Sequence, residues 1–129
     1  MILKSGEQKR REEKVIVREF SWVEHSERAL QGEGNLFLTT QRLILERSSK
    51  GKAITLFEFP LKAIGQVRIE GFINKVVLLR VLLNQISSKV KGIDFSNKKG
   101  FANIKIKVDD PKGFAEEIRI RSKKGEKQS

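Results

Sequence analysis

Short runs in which apolar and polar residues alternate recur along most of the chain, and this period-two pattern limits the fold more than any other feature. The clearest case is GNLFLTTQRLIL at residues 34–45, where two such runs flank the polar break Thr-Thr-Gln-Arg. Alternation with period two puts one face of a strand against a core and the other toward solvent. The stretch therefore predicts a β-hairpin.

The same criteria predict strands over most of the remaining chain. Alternation or a high density of β-branched and aromatic residues marks residues 15–23, 54–59, 64–70, 76–83 and 101–108, which makes seven strands with the hairpin. A helix is predicted from Asp109-Asp110-Pro111, because Asp is a favoured N-cap and Pro a favoured first helical residue. Phe114 and Ile118 share one face of that helix, which we expect to cover the open side of a barrel.

The length of 129 residues suits one domain. We expect a flexible charged N-terminal tail at residues 1–14, the folded domain at 15–122 and a basic polar C-terminal tail at 123–129. The absence of cysteine excludes disulfides and a Cys-based zinc site and suits a cytoplasmic protein. The longest apolar run, at residues 76–83, is far below the about 20 residues of a membrane span.

Charge is uneven along the chain. There are 27 Lys and Arg residues against 16 Asp and Glu, and most of the excess lies in residues 49–129. A concentrated positive field attracts polyanions such as nucleic acid or an anionic membrane. The alternative is a charged surface that keeps a small, thermophilic domain soluble and stable.

The hairpin also carries a family resemblance. Its sequence is similar to the G-x-L-x-L-T-x-x-R-L-I signature of GRAM domains and their relatives in the pleckstrin-homology superfamily, through Gly34, Leu36, Leu38, Thr39, Arg42 and Leu43. These relatives include bacterial and archaeal PH-like domains and the GLUE domain of the ESCRT-II complex. The resemblance implies a mainly β fold over residues 15–122, a seven-stranded partly open barrel or two orthogonal sheets capped by one C-terminal α-helix. It also implies a non-catalytic binding module without a cofactor.

Within the signature, we predict structural roles for the two polar residues. Thr39 is expected to tie the turn through its hydroxyl, and the Arg42 stem to cover apolar surface while its guanidinium meets carbonyls or a carboxylate. The hairpin is then scaffold, and ligand-binding residues are expected elsewhere.

A basic rim is the first predicted ligand site. Phosphoinositide-binding PH domains carry a basic pattern across the first two strands, whereas this chain has the acidic stretch VEHSERALQGEGN there. The resemblance instead places two groups of lysines on one open rim, namely Lys50, Lys52, Lys89, Lys91, Lys98 and Lys99. We expect them to bind anionic phospholipid headgroups and to recruit the protein from the cytoplasm to the inner membrane surface.

A second predicted site is the turn at residues 71–75. Phe72, Ile73 and Lys75 are expected to contact a membrane or a protein partner, and the GLUE resemblance implies ubiquitin or an ESCRT-type protein. The alternative is a loop that folds back onto the core.

Nucleic-acid binding is the alternative function. The segment Lys99-Gly100-Phe101-Ala102-Asn103-Ile104 partly resembles the ribonucleoprotein motif K-G-F-[GA]-F-V-x-F, but Asn103 and Ile106 replace its later aromatics. No helix separates the early strands, so the RNA-recognition fold is excluded, and electrostatic contact with RNA or DNA phosphates remains.

Residues suited to catalysis are scarce. His25 is the only histidine, there is no cysteine, and the sequence lacks Walker and dinucleotide-binding patterns. An exposed loop position is the ordinary interpretation of such a histidine. We expect neither an enzyme nor a metal site.

Overall fold

The computed structural model describes the backbone of residues 1–127 and the side chains of residues 1–122. Its strands are β1 (Lys9–Trp22), β2 (His25–Ser26), β3 (Gly32–Thr39), β4 (Arg42–Ser49), β5 (Lys52–Pro60), β6 (Ile64–Glu70), β7 (Val76–Leu82) and β8 (Phe101–Lys107). One helix, α1 (Pro111–Lys127), follows the last strand. The seven predicted strands are therefore all present, and the two-residue β2 is additional.

The strands form one antiparallel sheet in the order β5-β4-β3-β1-β8-β7-β6, with β2 paired only to β1. The central strand β1 pairs with β3 through Lys9 to Val17 and with β8 through Ile16 to Ser21. The two outer strands of this order, β5 and β6, do not pair with each other, so the barrel is open between them. The prediction of a mainly β, partly open barrel is confirmed, with β1 joining both halves into a continuous sheet.

Helix α1 packs over this opening. It contacts β6, β7 and the turn at Leu61–Ala63, and its Phe114 and Ile118 are fully buried, as predicted. Asp110 is the N-cap, because its Oδ1 accepts a hydrogen bond from the N–H of Gly113 at 3.0 Å. Residues 123–127 of the predicted tail continue the helix, and residues 128–129 lie outside the described residues.

Strand β1 begins at Lys9, six residues before the predicted start at Val15. The early part lacks apolar alternation because its inner side chains form an ion network with the helix. Arg11 lies 3.7 Å from the carboxylate of Glu13 and 3.4 Å from that of Glu117 on α1. Residues 9–14 are therefore part of the sheet, and their charges conceal a strand that pairs with β3.

The hairpin in the opening stretch is confirmed. Leu36 pairs with Leu45 and Leu38 with Leu43, and all four side chains are fully buried. They belong to the single apolar core of the domain.

Arg42 and Thr39 connect this hairpin to the N-terminal segment. The Thr39 hydroxyl oxygen accepts hydrogen bonds from the N–H groups of Gln41 and Arg42 at 3.1 and 3.0 Å, and it donates to Glu7 at 2.5 Å. The Arg42 guanidinium donates to Glu7 from Nε at 2.9 Å and from Nη2 at 3.1 Å, and to Glu58 from Nη1 at 2.8 Å. Thr39 and Arg42 thus make their hydrogen bonds within the fold, and Glu7 is the carboxylate that the sequence did not single out.

The Glu7 carboxylate is ionised although its side chain is fully buried. Burial alone raises the pKa of a carboxyl group, but here the hydrogen bonds from Arg42, Thr39 and the Lys4 N–H outweigh burial. Together they lower the pKa of Glu7 from 4.5 to about 2. The pair therefore stays charged throughout the physiological pH range.

Arg42→Ala is expected to destabilise the fold rather than to affect ligand binding. The substitution leaves the buried Glu7 carboxylate without its main donor, and breaking a buried pair from one side costs about 3–5 kcal/mol. Chemical denaturation of the two proteins measures the loss. Arg18→Ala is the control, because Arg18 is exposed and makes no ion pair with a described residue. A normal melting transition together with lost binding would contradict this role.

The pKa of Glu7 predicts a specific loss of stability in acid. Because the pKa is lowered in the folded state, the stabilisation is complete above the unfolded value of 4.5 and is lost as the pH falls toward 2. The complete loss lowers the free energy of unfolding by an amount on the order of 3 kcal/mol. The free energy of unfolding of the unmodified protein should fall more steeply between these values than that of Glu7→Gln. Parallel curves for the two proteins would refute the assignment.

Candidate functional site

The strand directions sort the predicted site residues into two groups at opposite ends of the sheet. Adjacent strands are antiparallel, so β1, β4 and β7 run in the same direction. The loops that follow these three strands therefore lie at one end; they carry five of the six predicted lysines, and the sixth, Lys52, is the first residue of β5 beside the β4–β5 turn. This group is termed the lysine rim (Lys50, Lys52, Lys89, Lys91, Lys98 and Lys99). The turn at residues 71–75 precedes β7, lies at the opposite end, and is termed the tip.

The loop between β7 and β8 is attached to the barrel rather than free. Glu58 on β5 and Ser87 exchange two backbone hydrogen bonds of 2.9 Å, and the Lys89 N–H donates to the Thr55 carbonyl at 3.0 Å. Further along, the buried Phe95 ring stacks on Phe20 with the ring centroids 5.5 Å apart. The period-two pattern predicts no strand between residues 83 and 101, and nothing in the sequence pattern predicts that this loop docks. Docking fixes the backbone that carries four of the rim lysines.

Trp22 connects the end of β1 to this loop. The Lys98 ammonium lies 5.6 Å from the centroid of the Trp22 ring, and the His25 ring packs on the same indole at 4.5 Å. These three side chains, together with Glu27 and Asp94, line a recess of about 320 Å³. Trp22 also packs edge-on against Phe95, so it is both a core residue and part of the surface at the rim.

Negative charge is also present in this recess. Hydrogen bonds from the N–H and hydroxyl of Ser96, with the nearby Lys98, lower the pKa of Asp94. Glu27 lies 3.8 Å from His25 across the opening. The recess therefore presents carboxylates as well as an ammonium group, which disfavours a polyphosphate bound inside it.

The rim lysines themselves are exposed, and none of the six forms an ion pair with a described residue. Several basic side chains of the sheet and helix are paired instead, since Arg11, Arg42, Arg68, Lys105, Arg119 and Arg121 all lie within 4 Å of a carboxylate. The lysine rim is thus one group of exposed lysines at one end, and Arg10, Lys14, Arg18 and Lys62 elsewhere also lack an ion pair with a described residue. The role of the rim as a ligand site stays a prediction.

One apolar side chain lies at the same end, in the two-residue turn between β1 and β2. Val23 has a positive φ of 47°, a backbone conformation that is unfavourable for a β-branched residue, and its side chain is 93% exposed. Nothing in the sequence pattern singled out this residue, since Val23 reads as the last residue of a strand.

The tip presents its apolar residues to solvent. Phe72 is 98% exposed and Ile73 is 92% exposed, so the alternative of a loop folded onto the core is wrong for these side chains. Gly71 has a φ of +96°, and a Cβ at this position would lie only 2.8 Å from the Asn74 carbonyl oxygen. The turn is therefore tight, and it depends on glycine. Lys75 is also exposed, and contact with a partner here stays a prediction.

Within the described part of the chain, no helix combines the length and the apolar character needed to cross a membrane.

Comparison with known proteins identifies the fold. No family model matches the chain, and no curated protein matches it. Among solved structures, the chain is similar to the Vps36 N-terminal PH domain, with a TM-score of 0.58 and 17% sequence identity. The similarity covers 95% of this chain and 84% of that chain. The chain has the pleckstrin-homology-like fold. The predicted resemblance is thus confirmed for the fold.

Proposed function

We propose that this PH-like domain is a non-catalytic module that docks on an anionic membrane surface through the lysine rim. The observation that carries the proposal is the set of six exposed lysines without ion pairs at one end of the barrel. A lysine near an anionic bilayer contributes about 1 kcal/mol, so several together are needed for recruitment. The proposal implies a cytoplasmic protein that binds peripherally at the inner membrane surface.

A diffuse contact with a surface fits the rim better than a pocket for one headgroup. The lysines are distributed over the β4–β5 turn and the docked loop, whereas the recess beside them contains Asp94 and Glu27. The exposed Val23 lies at the same end, where an apolar side chain can enter the boundary between headgroups and acyl chains. We therefore expect binding to depend on membrane charge more than on a particular lipid.

Replacing the four lysines of the docked loop should abolish most of this binding. The variant Lys89→Gln, Lys91→Gln, Lys98→Gln, Lys99→Gln is compared with the unmodified protein by co-sedimentation with phosphatidylcholine vesicles, with and without phosphatidylserine, at low and physiological ionic strength. At about 1 kcal/mol per lysine, we expect affinity for the anionic vesicles to fall at least a hundredfold.

The matched control removes the same charge elsewhere, as Lys14→Gln, Lys62→Gln, Lys107→Gln and Lys112→Gln. It should retain most of the binding. Equal losses in both variants would show that only net charge matters, and absence of binding to anionic vesicles at low salt would overturn the proposal. If anionic vesicles are not bound but RNA or DNA is bound with a steep salt dependence, nucleic-acid binding is favoured as the function instead.

We propose in addition that the tip contacts a protein. Phe72 and Ile73 point into solvent at the end of the sheet opposite the rim, and this orientation leaves them accessible while the rim faces a membrane. Ubiquitin is the candidate that the GLUE resemblance implies.

Titration of the isotope-labelled domain with ubiquitin tests this partner by NMR. We expect amide shifts at the tip, and we expect Phe72→Ser with Ile73→Ser to abolish them without affecting vesicle binding, because both side chains make almost no contact within the fold. Lack of shifts at the tip would remove ubiquitin as a partner of this surface.

A further inference from the structure

Phe101 lies on the outer face of the sheet. Along β8, Ala102, Ile104 and Ile106 are fully buried, so the alternate residues, Phe101 and Asn103 among them, face away from the core. Phe101 is 36% exposed. The one aromatic side chain that the chain shares with the ribonucleoprotein motif is therefore on an open sheet face, although the fold is not that of an RNA-recognition motif.

The neighbouring strands hold the Phe101 ring against the sheet. Leu82 of β7 pairs directly with Phe101, and Arg80 pairs with Asn103. The guanidinium carbon of Arg80 lies 4.9 Å from the ring centroid. A Cβ on Gly65 of β6 would lie 2.8 Å from Cε1 of Phe101, so the ring reaches across β7 and uses the space that the glycine leaves. These five residues are termed the stacking platform.

The charges around the stacking platform suit an anionic ligand. Arg80 forms no ion pair with a described residue, and Lys98 and Lys99 of the lysine rim precede Phe101 in the chain by three and two residues, respectively. The acidic residues of the same sheet face, Glu19 and Glu70, lie 3.7 and 3.2 Å from the Lys105 ammonium. Accessible positive charge thus lies at the ring itself, on Arg80, and on two lysines that shortly precede β8 in the chain.

We propose that the stacking platform binds a base of single-stranded nucleic acid, with the adjacent phosphates on Lys98 and Lys99. Bases stack on aromatic rings and on arginine guanidinium planes, and a phenyl ring accepts any base, so little sequence preference is expected. A duplex does not offer its base faces in this way. A membrane does not fit this surface either, because the ring is held against the sheet and does not project from a loop.

The proposal is separate from membrane docking, and substitutions at a different side chain, Phe101, test it. Fluorescence anisotropy of a labelled oligothymidylate measures binding to the unmodified protein, to Phe101→Leu and to Phe37→Leu. Loss of the aromatic ring at position 101 should weaken binding roughly tenfold, the lower part of the range expected for one stacked base. Phe37→Leu is the matched control, because Phe37 is a half-buried aromatic residue on β3 that belongs to none of the proposed sites, and it should bind as the unmodified protein does.

Two further measurements separate stacking from charge. An abasic oligonucleotide of the same length keeps the phosphates, so it should bind the unmodified protein and Phe101→Leu with equal, weak affinity. Lys98→Gln with Lys99→Gln should reduce the salt dependence of binding, whereas Phe101→Leu should leave it unchanged.

The outcomes distinguish this proposal from membrane docking. Oligothymidylate binding that Phe101→Leu does not weaken, or no binding at low salt, would overturn the stacking platform whether or not vesicles bind. Oligothymidylate binding that depends on Phe101 would support it even where anionic vesicles fail to bind, and that failure would overturn only the membrane proposal. Phe101→Leu should retain the vesicle binding of the unmodified protein.

Discussion

The pairing of β1 with two different strands is the constraint on which the rest of the structure depends. Its first half bonds to β3 and its second half to β8, with a change of register between Val17 and Glu19. Such an irregularity bends a strand and allows one strand to serve both halves of a barrel. The fully buried Phe20 follows the irregularity and packs against Phe57 of β5 and Phe95 of the docked loop. Because β1 fixes the directions of all the other strands, it also decides which loops share an end.

The buried charges at Arg42 have a different function from the exposed charges at the rim. The Arg42 guanidinium joins the β3–β4 turn, the N-terminal segment through Glu7 and strand β5 through Glu58. Its hydrogen bonds are satisfied within the fold, so little of its charge remains for a ligand. The lysines of the rim have no such partners among the described residues, and their charge acts outward. Two sets of basic residues that look alike in a sequence are thus separated by burial and by pairing.

Sequence patterns predicted those elements that are determined by residues close together in the chain. The hairpin at Leu36 to Leu45 and the Asp110 cap follow from alternation and from capping chemistry, and both are confirmed. The early start of β1 was missed because Arg11 and Glu13 face a helix that lies about a hundred residues further along the chain. Docking of the loop through Phe95 and the contact of Gly65 with Phe101 were missed for the same reason. Each depends on which strands become neighbours, and period-two patterns do not encode that information.

The loop between β7 and β8 is attached to β5 through Ser87 and Lys89, and this attachment has a consequence for solubility. Exposed strand edges recruit other chains by backbone pairing, and charged residues or covering segments prevent this. Here the loop covers part of the outer edge of β5, and on the opposite edge strand the Arg119 guanidinium donates to the Val67 carbonyl at 3.1 Å. Both edge strands thus have backbone groups that are bonded within the chain itself. Because Lys89 and Lys91 belong to the covering loop, substitutions that alter binding there also bear on whether the edge of β5 stays closed to other chains in a crowded solution.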